Sequence, residues 1–217
     1  WKITRHPRRA LARRHHSKLA DGRIVQGESN ISKSREPIDR IFIGPHAPEP
    51  FAESLDAIRD ADLITLGPGS LFTSVIPNLL VRRIPQAIMK ATGVRAYITN
   101  LMGQPGETVN FTAADHVAAI LKHCGVSRTN AGRLLDYVVV NRNPIETGVL
   151  RHYAAQRATP VVNDLARLTA MGVRILQAPL ADSGAKIRHS PERTAALIVK
   201  LARLGRRRRL LMAHERS

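Results

Sequence analysis

DLITLGPGSLFTSVIPNLLV, residues 62–81, is the stretch that decides what kind of protein this is. The apolar run Leu63–Leu66 predicts a buried strand of the parallel type, because both faces of such a strand are covered and no polar alternation is needed. It stops at Gly67-Pro68-Gly69-Ser70, and hydroxyls follow at Ser70, Thr73 and Ser74. That order reads as strand, tight loop, helix start. Two glycines let backbone N–H groups approach an anion, and the start of a helix adds unpaired donors and a positive dipole end. Open parallel sheets bind ligands at the carboxyl ends of their strands, which is where this loop falls. An ordinary strand-to-helix turn accounts for the four residues equally well.

On either side of this stretch, strand and helix signals alternate. Phe51, Leu55 and Ile58 are spaced 4 and 3 apart, which predicts a helix over 50–61 with one face inward. Pro77 interrupts any long helix after the loop, and Pro85 suits the first turn of a helix reaching Thr92, with Gly93 as its C-cap. Val94–Leu101 reads as the next strand. Thr112 with Asp115 three residues on predicts a capping box and a helix to His123. Residues 136–140 are strongly β-branched and are closed by Asn141-Arg142-Asn143-Pro144. Helices at 145–155 and 164–171, strands at 161–162 and 173–176, and a last helix with Ser190 as N-cap and Pro191 at its first position follow. The apolar face of that helix is expected at Ala195, Ile198, Val199 and Leu201. Upstream, Asp21-Gly22 marks a hairpin, and Arg40–Ile43 a further strand. The alternation implies a mainly parallel sheet with right-handed crossovers.

Composition limits the class of protein. At 217 residues with 43% hydrophobic content the chain can bury a full core, and with 4% aromatics that core must be aliphatic. The net charge of +17 sits mostly at the ends, +7 in residues 1–18 and +5 in 203–217, leaving +5 for everything between. Solvated basic ends are expected, at 1–18 and 204–217, around a folded portion at 19–203. Nucleic acid would then be bound only non-specifically, through those ends. One cysteine, Cys124, excludes an internal disulfide, and no signal peptide or membrane-length apolar span is seen. A cytoplasmic protein without membrane insertion is expected, with homo-oligomer formation left open.

Three loops fall at strand ends, 67–73, 103–108 and 141–143, and they should open on one edge of the sheet. Asn100, Gln104, Asn141 and Asn143 offer amides suited to a nucleobase or sugar, and Glu107 is the one carboxylate among them. Each Asn equally suits turn chemistry. Asp115 and His116 are adjacent and do not share a helix face, so they make no dyad. His15-His16 has no partners at metal-site spacing. Cys124 reads as a small buried residue, and Arg188-His189 as either a phosphate contact or a surface turn. No dinucleotide fingerprint, Walker loop, Ser/His/Asp order or zinc pattern is present.

Longer strings carry more. DGRIVQGESNI (21–31), ADLITLGPGSLFTSVIPNLLV (61–81), YITNLMGQPGET (97–108), FTAADHVAAI (111–120), DYVVVNRNPI (136–145) and IRHSPE (187–192) together resemble the gluconeogenesis factor (YvcK-like) family. That family shares a superfamily with 2-phospho-L-lactate transferase. The resemblance runs through 19–203 and implies an α/β, Rossmann-like three-layer fold with a mainly parallel sheet, truncated at its N-terminus, since the family's leading glycine-rich nucleotide loop has no counterpart here. It implies a bacterial nucleotide-sugar-binding regulator of carbon metabolism, cell wall and cell shape, with a UDP-sugar as partner. It assigns ligand contacts to Gly67, Pro68, Gly69, Ser70, Thr73, Asn100, Gln104, Gly106 and Glu107; Asn141 joins them by its strand-end position. It implies no catalytic residue. The rivals are a 2-phospho-L-lactate transferase-type enzyme of coenzyme F420 biosynthesis, for which a divalent metal would be the cofactor, and a basic nucleic-acid-binding protein. Two departures are local: the family reads Asp-Gly at Val109-Asn110 and Thr at Gly103.

Overall fold

Alternate residues of one short strand decide how the layers stack. In β5 (Val94–Ile98), Val94, Ala96 and Ile98 join a core with Leu101, Val139, Leu180 and Leu201, while Tyr97 joins the other core with Val138 and Val140 of β6 (Tyr137–Asn141). Successive side chains of a strand point to opposite faces, so the sheet is covered on both sides. The computed structural model describes residues 14–27, 30, 37–44, 47–145, 147–154, 158–182 and 186–215. Most of the expected basic N-terminal segment, residues 1–13, lies outside these.

The main sheet has four parallel strands in sequential order: β4 (Leu63–Leu66), β5, β6 and β7 (Arg174–Ala178). Helices α1 (Ala52–Asp60), α2 (Ile76–Leu79), α3 (Ile84–Lys90), α4 (Ala113–Cys124), α5 (Thr147–Ala154) and α6 (Leu165–Ala170) fill the connections. Leu71, Phe72, Ile76, Leu79, Val117, Ile120, Leu121 and Leu168 form the larger core between helices and sheet. On the far face lies α7 (Pro191–His214), packed on β4 and β5. The fold is thus the three-layer α/β arrangement expected, with a mainly parallel sheet.

A second, antiparallel sheet of order β2-β1-β3 is built from β1 (Arg14–Leu19), β2 (Ile24–Gln26) and β3 (Ile38–Gly44). The hairpin turn is the expected Asp21-Gly22, with Gly22 at φ 88°. Residues 14–18, expected to belong to a frayed basic end, are instead the central strand. The sheet docks on α4: His123 Nε2 accepts the Ile41 N–H at 3.0 Å, and Lys122 Nζ meets the Asp39 carboxylate at 2.6 Å.

Several local expectations are corrected. Phe51 is 68% exposed, because it is the residue before α1 and not part of its inward face. Gly93 does not cap α3, which ends at Lys90 with Ala91 as its C-cap; a Cβ on Gly93 would lie 2.1 Å from the Ala61 carbonyl oxygen, so the glycine permits chain crossing. Val161 and Val162 form no strand of their own. The Val161 N–H bonds Leu101 O and the Ala113 N–H bonds Val162 O, which tie the segment in place as a loop. Val199 faces outward on α7.

The largest correction concerns the arginine run. It is the continuation of α7 to His214 and not a solvated tail. A Cβ on Gly205 would fall 1.7 Å from Asp62 O and 3.0 Å from Val94 N, so glycine lets the helix lie against the backbone of the sheet. Beyond it, Arg208 Nη1 reaches Asp136 at 3.0 Å and Arg209 Nη1 reaches Asp62 at 3.0 Å. Arg95 approaches the same Asp136 with Nε and Nη2, both at 2.9 Å. These pairs lie at the amino ends of the strands, the edge opposite the GPGS loop.

Candidate functional site

The loop after β4 is constrained by what lies beneath it. Gly67 has φ 76°, a region costly for other residues, and a Cβ there would sit 2.8 Å from the Ile98 carbonyl oxygen. The Gly67–Pro68 peptide is cis. Ser70 then caps a π-helical turn over Leu71–Val75: its Oγ accepts the Thr73 N–H at 3.4 Å, and its carbonyl accepts the N–H groups of Ser74 and Val75. The sequence signal was a helix start; the wider π turn was not visible, because Pro77 at the beginning of α2 limits regular α geometry before it.

The loop after β5 meets this turn through a carboxylate. Glu107, 5% exposed, accepts from Ser70 Oγ at 2.5 Å and from Thr73 Oγ1 at 3.4 Å, and the two hydroxyl oxygens are 2.5 Å apart. Glu107 is aimed by a tight turn in which Glu107 N and Thr108 N donate to Gln104 O, Gln104 N donates to Thr108 Oγ1, and Gly106 takes φ 77°. The hydroxyl protons expected to face a ligand are therefore held within the cluster, between the two hydroxyls and Glu107, leaving the loop backbone for a ligand.

Both departures from the family pattern fit this turn. Gly103 suits its place because a Cβ there would lie 2.8 Å from Thr108 O. Asn110 has φ 60°, and asparagine is the next best residue to glycine in that region.

Two buried polar atoms near this strand end have no hydrogen-bond partner among the described residues, Tyr97 Oη and Gln104 Oε1. The Tyr97 ring passes under the loop, with Cε2 3.7 Å from where a Gly67 Cβ would be. Burial raises its phenol far above the ordinary value. Tyr97 carries no sequence signal of its own, since an aromatic in an apolar strand reads as core. Asn100 is half-buried at the end of β5, its side chain unbonded among the described residues.

Asn141 belongs elsewhere. Its Oδ1 accepts the N–H groups of Leu180 and Ala181 at 3.0 and 3.1 Å, and its Nδ2 donates to Asn143 O at 2.5 Å. The amide fastens β6 to the segment after β7. His189 ties the same edge, its Nε2 donating to Thr99 O at 3.0 Å; burial lowers its pKa, against the opposing effect of that bond. Arg188 next to it is exposed.

Other sequence candidates resolve as structural. Asp115 and Thr112 form the expected capping box, and His116 bonds Thr112 O through Nδ1. His16 stacks on Phe42 at 5.1 Å. Burial pushes the Cys124 thiol up to about 12, which leaves it unreactive. Around Glu107 there is one carboxylate with two hydroxyls, short of a protein cage for a divalent ion, and no group of three His, Cys, Asp or Glu comes together among the described residues.

The family model described as 2-phospho-L-lactate transferase CofD matches residues 11–181. The chain belongs to the CofD family. Among its relatives is the gluconeogenesis factor of Bacillus subtilis (strain 168), 41% identical over 187 residues that make up 86% of this chain and 57% of that protein. The gluconeogenesis factor of Halalkalibacterium halodurans is 46% identical over 73% of this chain and 47% of its own length. A crystal structure of a Bacillus halodurans protein superposes with TM-score 0.80 at 40% identity, covering 86% of this chain and 58% of that one. This CofD-family chain thus spans about half the length of the curated relatives it matches, and what the whole relatives do is not carried over with the fold.

Proposed function

We propose that this chain provides one wall of a nucleotide-sugar site in a gluconeogenesis-factor-type regulator of carbon metabolism and cell-wall supply, acting in the bacterial cytoplasm and not as an enzyme. The observation that carries the reading is the Ser70–Glu107–Thr73 cluster, which joins the β4 and β5 loops at the carboxyl edge of a parallel sheet. Backbone N–H groups of the Gly67–Ser70 loop suit a diphosphate, and Asn100 and Gln104 suit a sugar or base. The relatives' name, gluconeogenesis factor, supports the link to carbon metabolism.

Isothermal titration with UDP-N-acetylglucosamine, on this chain and on a version extended at its N-terminus to the length of the relatives, tests it. We expect binding by at least the extended form, weakened about tenfold or more by Ser70→Ala, because removing Oγ takes away the bond to Glu107 and the cap on the Thr73 N–H that shape the loop. No binding by either form defeats the reading.

The family's name favours a second reading, a phospholactate-type transferase. It would use a divalent metal, and the described residues supply one carboxylate toward it. Product formation from a deazaflavin acceptor would establish it.

A further inference from the structure

The outward face of α7 carries a pattern that the ligand site does not use. At 3.6 residues per turn, Arg206, Val199, Leu210, Arg203, Arg207, Lys200, Leu211 and Leu204 all fall within an arc of about 160°. Opposite them lie Thr194, Leu201 and Gly205, the buried positions on the sheet. The outward leucines are far from buried: Leu204 is 43% exposed, Leu210 57% and Leu211 67%. Lys200, Arg203, Arg206 and Arg207 are exposed and make no ion pair among the described residues, whereas Arg208 and Arg209 are held by Asp136 and Asp62. Glu192, at the start of the helix, is its one acid.

We infer that this face of α7 rests on an anionic membrane surface. Leucines and unpaired cations on one exposed arc match a bilayer interface, where the apolar side chains enter the acyl boundary and the guanidinium groups meet lipid phosphates. A second copy of the chain fits poorly, because pairing the arc with itself would set cations against cations. Nucleic acid would engage the arginines but gain nothing from the leucines, and α7 has no aromatic residue to stack on bases. The contact is peripheral, since among the described residues no helix is long and apolar enough to cross a membrane. A helix of 24 residues lying along the sheet offers a flat contact about 36 Å long. Its last turns also line a cleft of about 590 Å³ at the edge of that contact, where Arg206 and Leu210 face Asp62 and its partner Arg209.

Flotation of the full chain with vesicles tests the inference. Binding is expected to vesicles of phosphatidylglycerol and phosphatidylcholine at about 1:2, not to phosphatidylcholine alone, and should fall at least about tenfold when salt rises from about 0.1 to about 0.5 M. The triple variant Arg203→Gln/Arg206→Gln/Arg207→Gln should lose at least about tenfold with residues 1–13 intact, since each interfacial cation contributes several-fold. Leu210→Gln/Leu211→Gln should weaken vesicle binding at both salt levels and leave binding to duplex DNA unchanged. These positions are exposed, and a thermal melt matching wild type confirms that the variants fold. The inference is overturned if the triple variant floats like wild type, or if the leucine variant does. It is overturned also if duplex DNA binds the chain at least as tightly as the anionic vesicles do.

Discussion

Gly205→Ala isolates what holds α7 to the sheet. In an unconstrained helix the change would stabilise by about 1 kcal/mol through propensity. Here the new Cβ would start 1.7 Å from Asp62 O and 2.8 Å from Asp62 C, both backbone atoms that cannot turn aside. Restoring ordinary contact distances moves the helix back by roughly 1.5 Å or more. That retreat loosens Leu201 in the smaller core and stretches the Arg208–Asp136 and Arg209–Asp62 pairs. Overpacking costs about 1–3 kcal/mol and partial loss of one core contact about 1–2 more, so the net effect after the propensity gain is a loss of about 1–4 kcal/mol. Gly148 is the matched control: it lies in α5, is exposed, and has nothing within 4 Å of an added Cβ. Gly148→Ala should gain about 0.5–1 kcal/mol. Urea unfolding followed by circular dichroism measures both. If Gly205→Ala is as stable as wild type, or more so, the close approach of helix and sheet is not what makes glycine necessary.

Two further perturbations concern buried ionisable groups. Asp136→Asn leaves Arg95 and Arg208 facing a neutral amide, which should cost about 3–5 kcal/mol in a thermal or urea melt. Burial alone would raise the Asp136 carboxyl, but hydrogen bonds from Arg95 and then Arg208 outweigh it and hold it below its usual value. With the folded value depressed, the stabilisation is complete above the unfolded value of about 3.9 and is lost as pH falls through the folded one. The acid limb of the wild-type stability curve, below about pH 4, should therefore shrink in Asp136→Asn. His123 has the opposite chemistry. Burial lowers its pKa against the bond from Nδ1 to Ala119 O, so it is neutral while Nε2 accepts from Ile41. The unfolded chain takes up the proton first, and stability should decline as pH drops below about 6.5. His123→Phe keeps the edge-on packing against Phe72 but orphans the Ile41 N–H, for a loss of about 1–3 kcal/mol at neutral pH and a flatter slope between about pH 5 and 6.5.

The parallel sheet was legible because its signals are local. Leu63–Leu66 is the strand that its apolar run predicted, the Thr112–Asp115 box opens α4, and Ser190-Pro191 opens α7. Asp21-Gly22 gave the hairpin for the same reason. What escaped depends on partners distant in sequence. The arginine run read as a tail because its counter-charges, Asp62 and Asp136, precede strands some 70 to 150 positions earlier. Gly93 read as a cap because the chain it crosses, at Ala61, leaves no mark beside it. Within the candidate site, Ser70, Thr73 and Glu107 are brought together as strand-end convergence suggested, yet their mutual hydrogen bonding could not be read from residue types alone.

The fastening role of Asn141 makes the carboxyl edge of the sheet lopsided. A side-chain amide that already accepts from two backbone N–H groups and donates to a carbonyl can turn to a ligand only by releasing the junction between β6 and the segment after β7. If the carboxyl edge takes the ligand we propose, its specificity falls to the β4–β5 side, where Gln104 Oε1 has no partner among the described residues and Asn100 is half-buried. A guest molecule would meet a rigid rim along one flank and all of its discriminating chemistry along the other.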